Sequence, residues 1–321
     1  MPRPRFLPDN FTLGLLGSVL LASLLPCRGN AAQLLEWLTD VAIGLLFFLH
    51  GAKLSRQAVV AGITHWRLHL TVLAATFVLF PLLGVALRPL LSGLTTPELY
   101  LGLLYLCLLP STVQSSIAFV SVADGNVPAA ICSATASNLL GIALTPLLVG
   151  WLLLGGEVGR GAGSAMGIVY QLLLPFVAGQ LLRPWLGRWV DRYKSKLKLV
   201  DQGSILLVVY TAFSAAVIGG LWQATPLPAL GGLLLACALL LALALGLTRL
   251  ASRQLGFDRA DEITIVFCGS KKSLASGVPM AKVLFAGHAI GAIVLPLMLF
   301  HQLQLMVCAL LAQRYRRRAG G

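Results

Sequence analysis

Two adjacent lysines stand at the centre of an otherwise apolar run, Glu262-Ile-Thr-Ile-Val-Phe-Cys-Gly-Ser-Lys-Lys-Ser-Leu-Ala-Ser-Gly-Val-Pro-Met280. In the middle of a membrane span each would cost about 2.5–3.5 kcal/mol on insertion scales. That point lies about 15 Å from either surface, beyond what a lysine covers by snorkelling. A span ending at Gly269 would leave Ser273–Phe285 too short to cross alone. The stretch Gly269–Ser273 therefore predicts a broken helix inside a polar region walled by protein. Adjacent helical residues point about 100° apart, so one of Lys271 and Lys272 is expected to face a cavity. The other is expected to pair with a carbonyl or with another span.

The rest of the chain supplies the membrane protein this requires. It is 58% hydrophobic and 11% charged, where soluble domains are about a quarter charged. Ten apolar runs are long enough to span: 11–27, 34–52, 68–88, 97–122, 127–154, 164–184, 201–221, 229–250, 261–286 and 288–312. Lipid permits helices or closed barrels, and the runs lack strand alternation, so an all-α polytopic fold is expected. The net charge of +13 is scattered in small groups without a reader motif, which argues against nucleic acid. The six cysteines form no CxxC or zinc spacing. No nucleophile triad, acid–base pair or phosphate loop emerges, so enzymatic activity is not expected.

Most of the basic residues fall in alternate loops, including Lys53, Arg56 and Arg67, the stretch Arg183–Asp201 read as the longest basic loop, and the tail Arg314–Arg318. This places both termini in the cytoplasm. The Gly-rich turn Gly155–Gly163 divides the chain into 1–156 and 157–321, two halves of five spans. Five is odd, so the halves insert with opposite orientation. Their fourth spans correspond: one carries Leu109-Pro-Ser-Thr-Val-Gln-Ser-Ser116, the other Gly269-Ser-Lys-Lys-Ser273, each followed by a Gly at the end of the span, Gly125-Asn126 and Gly287-His288, and then by a long apolar run. Paired interrupted spans in inverted repeats mark the binding centre of secondary transporters.

Pro110 breaks its span, and Ser111, Thr112, Gln114, Ser115 and Ser116 either satisfy the freed backbone or bind a ligand. Span five carries Ser133, Ser137, Gly141 and Thr145 on one stripe with Asn138 beside it, read equally as helix packing or site lining. Ser270 and Ser273 flank the lysines. Asp40 in span two and His301 in span ten, beside Gln302 and Gln304, are secondary candidates. Asp40 is weighed against pairing near an interface, His301 against ordinary packing.

Together Pro110–Val127, with its Gly125-Asn126-Val127 ending, and Phe267–Met280 resemble the bile acid:sodium symporter superfamily, in its divergent SBF-like bacterial branch. The resemblance covers roughly residues 10–312. It implies ten helices as two inverted five-helix repeats, a panel domain of spans 1, 2, 6 and 7, and a core domain of spans 3–5 and 8–10. Broken spans four and nine would cross at mid-membrane, and substrate would bind at the crossover, in the cleft between the domains, with alternating access by rocking. It also implies sodium ligands, but matched by position these fall on Ala130 and Ala134 in span five and on Val266 and Ser270 in span nine. On span four the Ser–Asn pair finds Ser115-Ser116 or Ser116-Ile117. The expectation is a lysine-assisted or proton-coupled carrier of a small organic anion in the bacterial inner membrane, without cofactor and without the usual sodium sites. The alternatives are a sodium:organic-anion symporter and a non-transporting regulator of ion flux. Isotopic sodium binding separates the first, and dependence of a protein partner on the arginine tail the second.

Overall fold

The computed structural model describes residues 10–53, 65–153, 172–286 and 289–317. The Gly155–Gly163 turn, the start of the expected span 164–184, the Gly287-His288 pair and Arg318 lie outside them. The described residues are helical, without strands: α1 (Asn10–Leu24), α2 (Gly29–Lys53), α3 (Trp66–Ala86), α4 (Arg88–Leu94), α5 (Pro97–Leu108), α6 (Gln114–Val122), α7 (Val127–Leu152), α8 (Leu174–Arg192), α9 (Lys194–Ile218), α10 (Leu221–Ala224), α11 (Leu227–Gln254), α12 (Arg259–Gly269), α13 (Leu274–Leu284) and α14 (Ile290–Arg317). Six of these are long and apolar enough to cross a bilayer: α2, α3, α7, α9, α11 and α14. The runs 97–122 and 261–286 are each two shorter helices.

Helix starts follow local chemistry. Thr96 caps α5 by accepting from Leu99 N at 3.4 Å, Asn126 caps α7 through Ala129 N at 3.1 Å, and Asp258 caps α12 through Asp261 N at 2.8 Å. Pro97 and Pro128 occupy first-turn positions, where a missing N–H costs nothing. α3 is not uniform: its middle widens into a π-turn at Ala75–Leu79.

The basic stretch Arg183–Asp201, expected as a loop, is helical on both sides of Tyr193, with Pro184 inside α8. Leu186, Val190, Tyr193 and Leu197 recur at helical spacing and pack with Leu49 and Ala52. That apolar stripe outweighs the surrounding charge.

The helices form two compact units. One holds α1, α2, α8, α9, α10 and the chain from Val278 into the start of α14. The other holds α3–α7, α11, α12, Leu274–Gly277 and most of α14. In the first unit α2 and α8 pack at their glycines. A Cβ on Gly51 would overlap Phe176 O, and one on Gly179 would overlap Phe48 O. Small residues let membrane helices approach this closely. Gly179→Leu is expected to destabilise the protein by about 3 kcal/mol or more, read as loss of the monodisperse peak in detergent. Gly17→Leu, at a glycine with no atom within 4 Å of a built Cβ, should leave the peak intact.

Candidate functional site

Everything central to the site lies in the second unit. α5 stops at Leu108 and α6 begins at Gln114, because Pro110 offers no N–H and the hydroxyl-rich residues after it bond elsewhere. α12 stops at Gly269, where Ser270 N and Oγ both donate to Val266 O, at 3.2 and 2.6 Å. Gly269 itself has no room for a side chain, since a Cβ would lie 2.9 Å from Ala75 Cβ.

The two unwound segments hold each other. Ser273 N donates to Pro110 O at 2.8 Å, Ser111 Oγ to Cys268 O at 2.5 Å, and Ser116 Oγ to Phe267 O at 3.2 Å. α7 clamps the crossing. Ser137 Oγ accepts from Ser111 N at 3.0 Å, Asn138 Nδ2 donates to Ser111 O at 2.5 Å, and Thr145 donates to Leu108 O at 2.8 Å. Asn138 Oδ1 accepts from Ser276 Oγ at 2.7 Å, so one amide touches both broken helices. Gly141 is required here: a Cβ would lie 2.7 Å from Pro110 Cβ. These bonds satisfy main-chain groups that an interruption in an apolar interior would otherwise leave unpaired.

Lys271 and Lys272 are both fully buried. Lys272 Nζ donates to Thr76 O, Cys107 O and Leu109 O at 2.8, 2.9 and 2.8 Å, and lies 4.2 Å from the centre of the Phe80 ring. All three ammonium hydrogens are thereby matched. Two of those carbonyls belong to the C-terminal end of α5, the negative end of its dipole. The third sits within the π-turn of α3, a local widening frequent at functional sites. Lys271 Nζ donates to Ser115 O at 2.9 Å and lies 3.9 Å over Phe119 and 5.5 Å from Phe267. The Lys272 main chain is held as well: Gln304 Oε1 accepts from Lys272 N at 2.9 Å, and Gln304 Nε2 donates to Lys272 O at 3.0 Å.

The other candidates are distributed. Thr112, Ser115 and Ser116 share hydroxyl contacts at 2.8 and 3.0 Å. Gln114 is exposed at the N-terminus of α6. Ser133 pairs with His69 at 2.7 Å, and Ser273 Oγ accepts from Ser276 N at 3.2 Å, capping α13. His301 Nδ1 meets Gln304 Nε2 at 2.9 Å. Asp40 belongs to the first unit, where it pairs with Lys282 at 3.1 Å. Thr76, Phe80 and Ser276 join the site without having been singled out in the sequence. The sequence carries no local mark of a π-turn, and two of the three act through a carbonyl or a ring face.

Of the positions where the resemblance would put sodium ligands, those on α7 and Val266 carry no side-chain oxygen, whereas Ser115, Ser116 and Ser270 carry hydroxyls. Ala130 and Ala134 are buried without a side-chain oxygen, Val266 is apolar, and the Ser270 hydroxyl donates to Val266 O.

A model of the SBF-like CPA transporter family matches residues 9–317. The chain belongs to that family. It is 69% identical over 320 residues to an uncharacterized protein of Pseudomonas aeruginosa, covering 99% of this chain and 96% of that one. It is 56% identical over 309 residues to a protein named as symporter YfeH of Escherichia coli, covering 96% and 93%. Sodium/bile acid cotransporter 7 of Rattus norvegicus is 29% identical over 308 residues, covering 94% and 90%. This SBF-like protein is thus a multi-pass membrane protein of a transporter family.

Proposed function

We propose that this SBF-like protein is a secondary active transporter of a small organic anion, built as ten spans in two inverted repeats, 1–156 and 157–321. In this reading it sits in the bacterial inner membrane with both termini cytoplasmic. The observation that carries the reading is the pair of buried ammonium groups at the crossing, compensated by carbonyl dipoles and ring faces. Those dipoles lower the field of two unit charges without cancelling it. The N-termini of α6 and α13, both at the breaks, add positive ends. Such a centre attracts a carboxylate and opposes sodium. The lack of side-chain oxygens at Ala130, Ala134 and Val266 supports the same reading. Gln114, exposed at the N-terminus of α6, supplies an accessible amide donor to a bound anion.

The test is uptake by proteoliposomes of radiolabelled taurocholate and short carboxylates, with and without sodium and proton gradients. Uptake is expected to be saturable and independent of sodium. Replacing Lys271 by Gln removes one charge; about 8 Å from a bound carboxylate, at an effective dielectric near 20, that forfeits about 2 kcal/mol, roughly thirtyfold in affinity. Uptake that follows a sodium gradient and survives Lys271→Gln/Lys272→Gln would overturn the proposal. A sodium-coupled symporter is the second reading, favoured by relatives named sodium/bile acid cotransporters. Isotopic sodium binding to the purified protein distinguishes the two.

A further inference from the structure

A groove of about 360 Å³ runs between α11 and α14. Its walls are two matched helical stripes. Ala242, Leu245, Gly246 and Arg249 line it from α11, and Val307, Leu310, Leu311 and Arg314 from α14. Each set has the spacing i, i+3, i+4, i+7 of a single helix face. Each ends in an arginine, so both guanidinium groups stand at one end of an otherwise apolar trough. Seven residues of helix rise about 10 Å, most of the roughly 15 Å of hydrocarbon in one leaflet.

Among the described residues, Glu262 is the carboxylate that meets Arg249 and Arg253 at that end. Glu262 accepts from Arg249 Nε at 3.2 Å, Arg253 Nε at 2.9 Å and Tyr315 Oη at 3.0 Å. Arg314, which is exposed and lines the same end of the groove, adds a third guanidinium there. Arg249 is fixed by Glu262 and by its stacking 6.0 Å from the Tyr315 ring. It is a preformed donor rather than a floppy side chain. The trough is open because α11 narrows at Gly246, where a built Cβ meets nothing within 4 Å.

We infer that this groove is a binding site for an anionic phospholipid, with an acyl chain lying between the two stripes and the phosphate held by Arg249 and Arg314. An apolar trough of leaflet depth ending in paired arginines matches the two halves of such a lipid in order and in charge. The groove floor includes Val266, whose carbonyl receives both Ser270 bonds at the end of α12. A seated lipid would thus pack against the half-helix that leads into the lysines. The inference needs only the membrane setting and stands apart from the choice of substrate.

The test uses the full chain purified in a neutral detergent. Dioleoylphosphatidylglycerol or dioleoylphosphatidylcholine is added, with melting temperature and lipid adducts in native mass spectrometry as readouts. The expected result is a gain of about 2–4 °C with the anionic lipid at saturation, a retained adduct, and little change with the zwitterionic one. Gly246→Leu projects into the trough from a position where a Cβ meets no protein atom, so it should leave the lipid-free melting temperature near wild type and remove the gain. Arg314→Gln should weaken the adduct at least fivefold. Glycerol-3-phosphate, the headgroup chemistry without chains, should give no gain. The inference is overturned if both lipids act equally, if the gain survives Gly246→Leu, or if glycerol-3-phosphate reproduces it.

Discussion

Replacing Lys272 by methionine is expected to destabilise the folded protein by about 3–5 kcal/mol, the cost of removing one partner from a buried charged arrangement. Methionine keeps most of the stem and its packing, so the loss isolates the ammonium. Three main-chain carbonyls, those of Thr76, Cys107 and Leu109, would lose their donor beside a fully buried position. An orphaned buried acceptor costs about 1–3 kcal/mol, so this sum reaches the same range. Lys271→Met removes one such bond and a ring contact and should cost about 1–3 kcal/mol. Unfolding curves in detergent decide the order, and equal or reversed losses would refute this account of the cage. Lys272→Ala adds a sharper test. It leaves a slot lined by carbonyls, which propylammonium can enter with its N–H donors, whereas tetramethylammonium has none. Recovery of stability by the first and not the second is the expected outcome.

This arrangement was only half legible in the sequence. Pro110 and the stretch Gly269–Ser273 announce themselves, because a proline or a lysine pair within an apolar run has no comfortable place in a straight helix. That predicts two breaks, and the structure has them at Leu109–Val113 and Ser270–Ser273. Where the ammonium groups go is a different matter. Their acceptors are carbonyls, which every residue carries, so the identities of Cys107, Leu109 and Ser115 say nothing about the role. The expectation that one lysine faces a cavity came from helical geometry, and the pair stands where the helix has ended. There the backbone turns, and both side chains find buried partners.

Tertiary packing defeated the sequence reading in other places too. Lys194–Lys198 reads as a solvated loop by charge, yet the inward stripe that includes Tyr193 and Leu197 makes it the opening of α9. The π-turn at Ala75–Leu79 has no composition of its own, and its part in the site follows from what crosses it. The reach of Asp40 was better marked. An acidic residue two turns into a span needs a partner, and Lys282 supplies it at 3.1 Å.

Gln304→Met should be nearly as damaging as the loss of Lys272, although the residue touches no side chain of the lysine pair. Its amide accepts from Lys272 N and donates to Lys272 O, serving the unwound segment as a neighbouring strand would. Methionine fills the volume but leaves both main-chain groups orphaned at a fully buried position. At about 1–3 kcal/mol each, the expected loss is about 2–6 kcal/mol. His301 would also lose the contact at 2.9 Å. His301→Gln, which keeps a polar side chain beside Gln304, should cost less. Because Gln304 and the ammonium cage fix the same residue from two sides, the losses should not add. In the double variant Lys272→Met/Gln304→Met the segment is already released by either change, so its loss should fall short of the sum by about 0.5–3 kcal/mol. Additive losses would mean that the cage and the amide act independently. In that case the segment Ser270–Ser273 would not be held as one rigid unit, and the placement of Lys271 would not depend on Gln304.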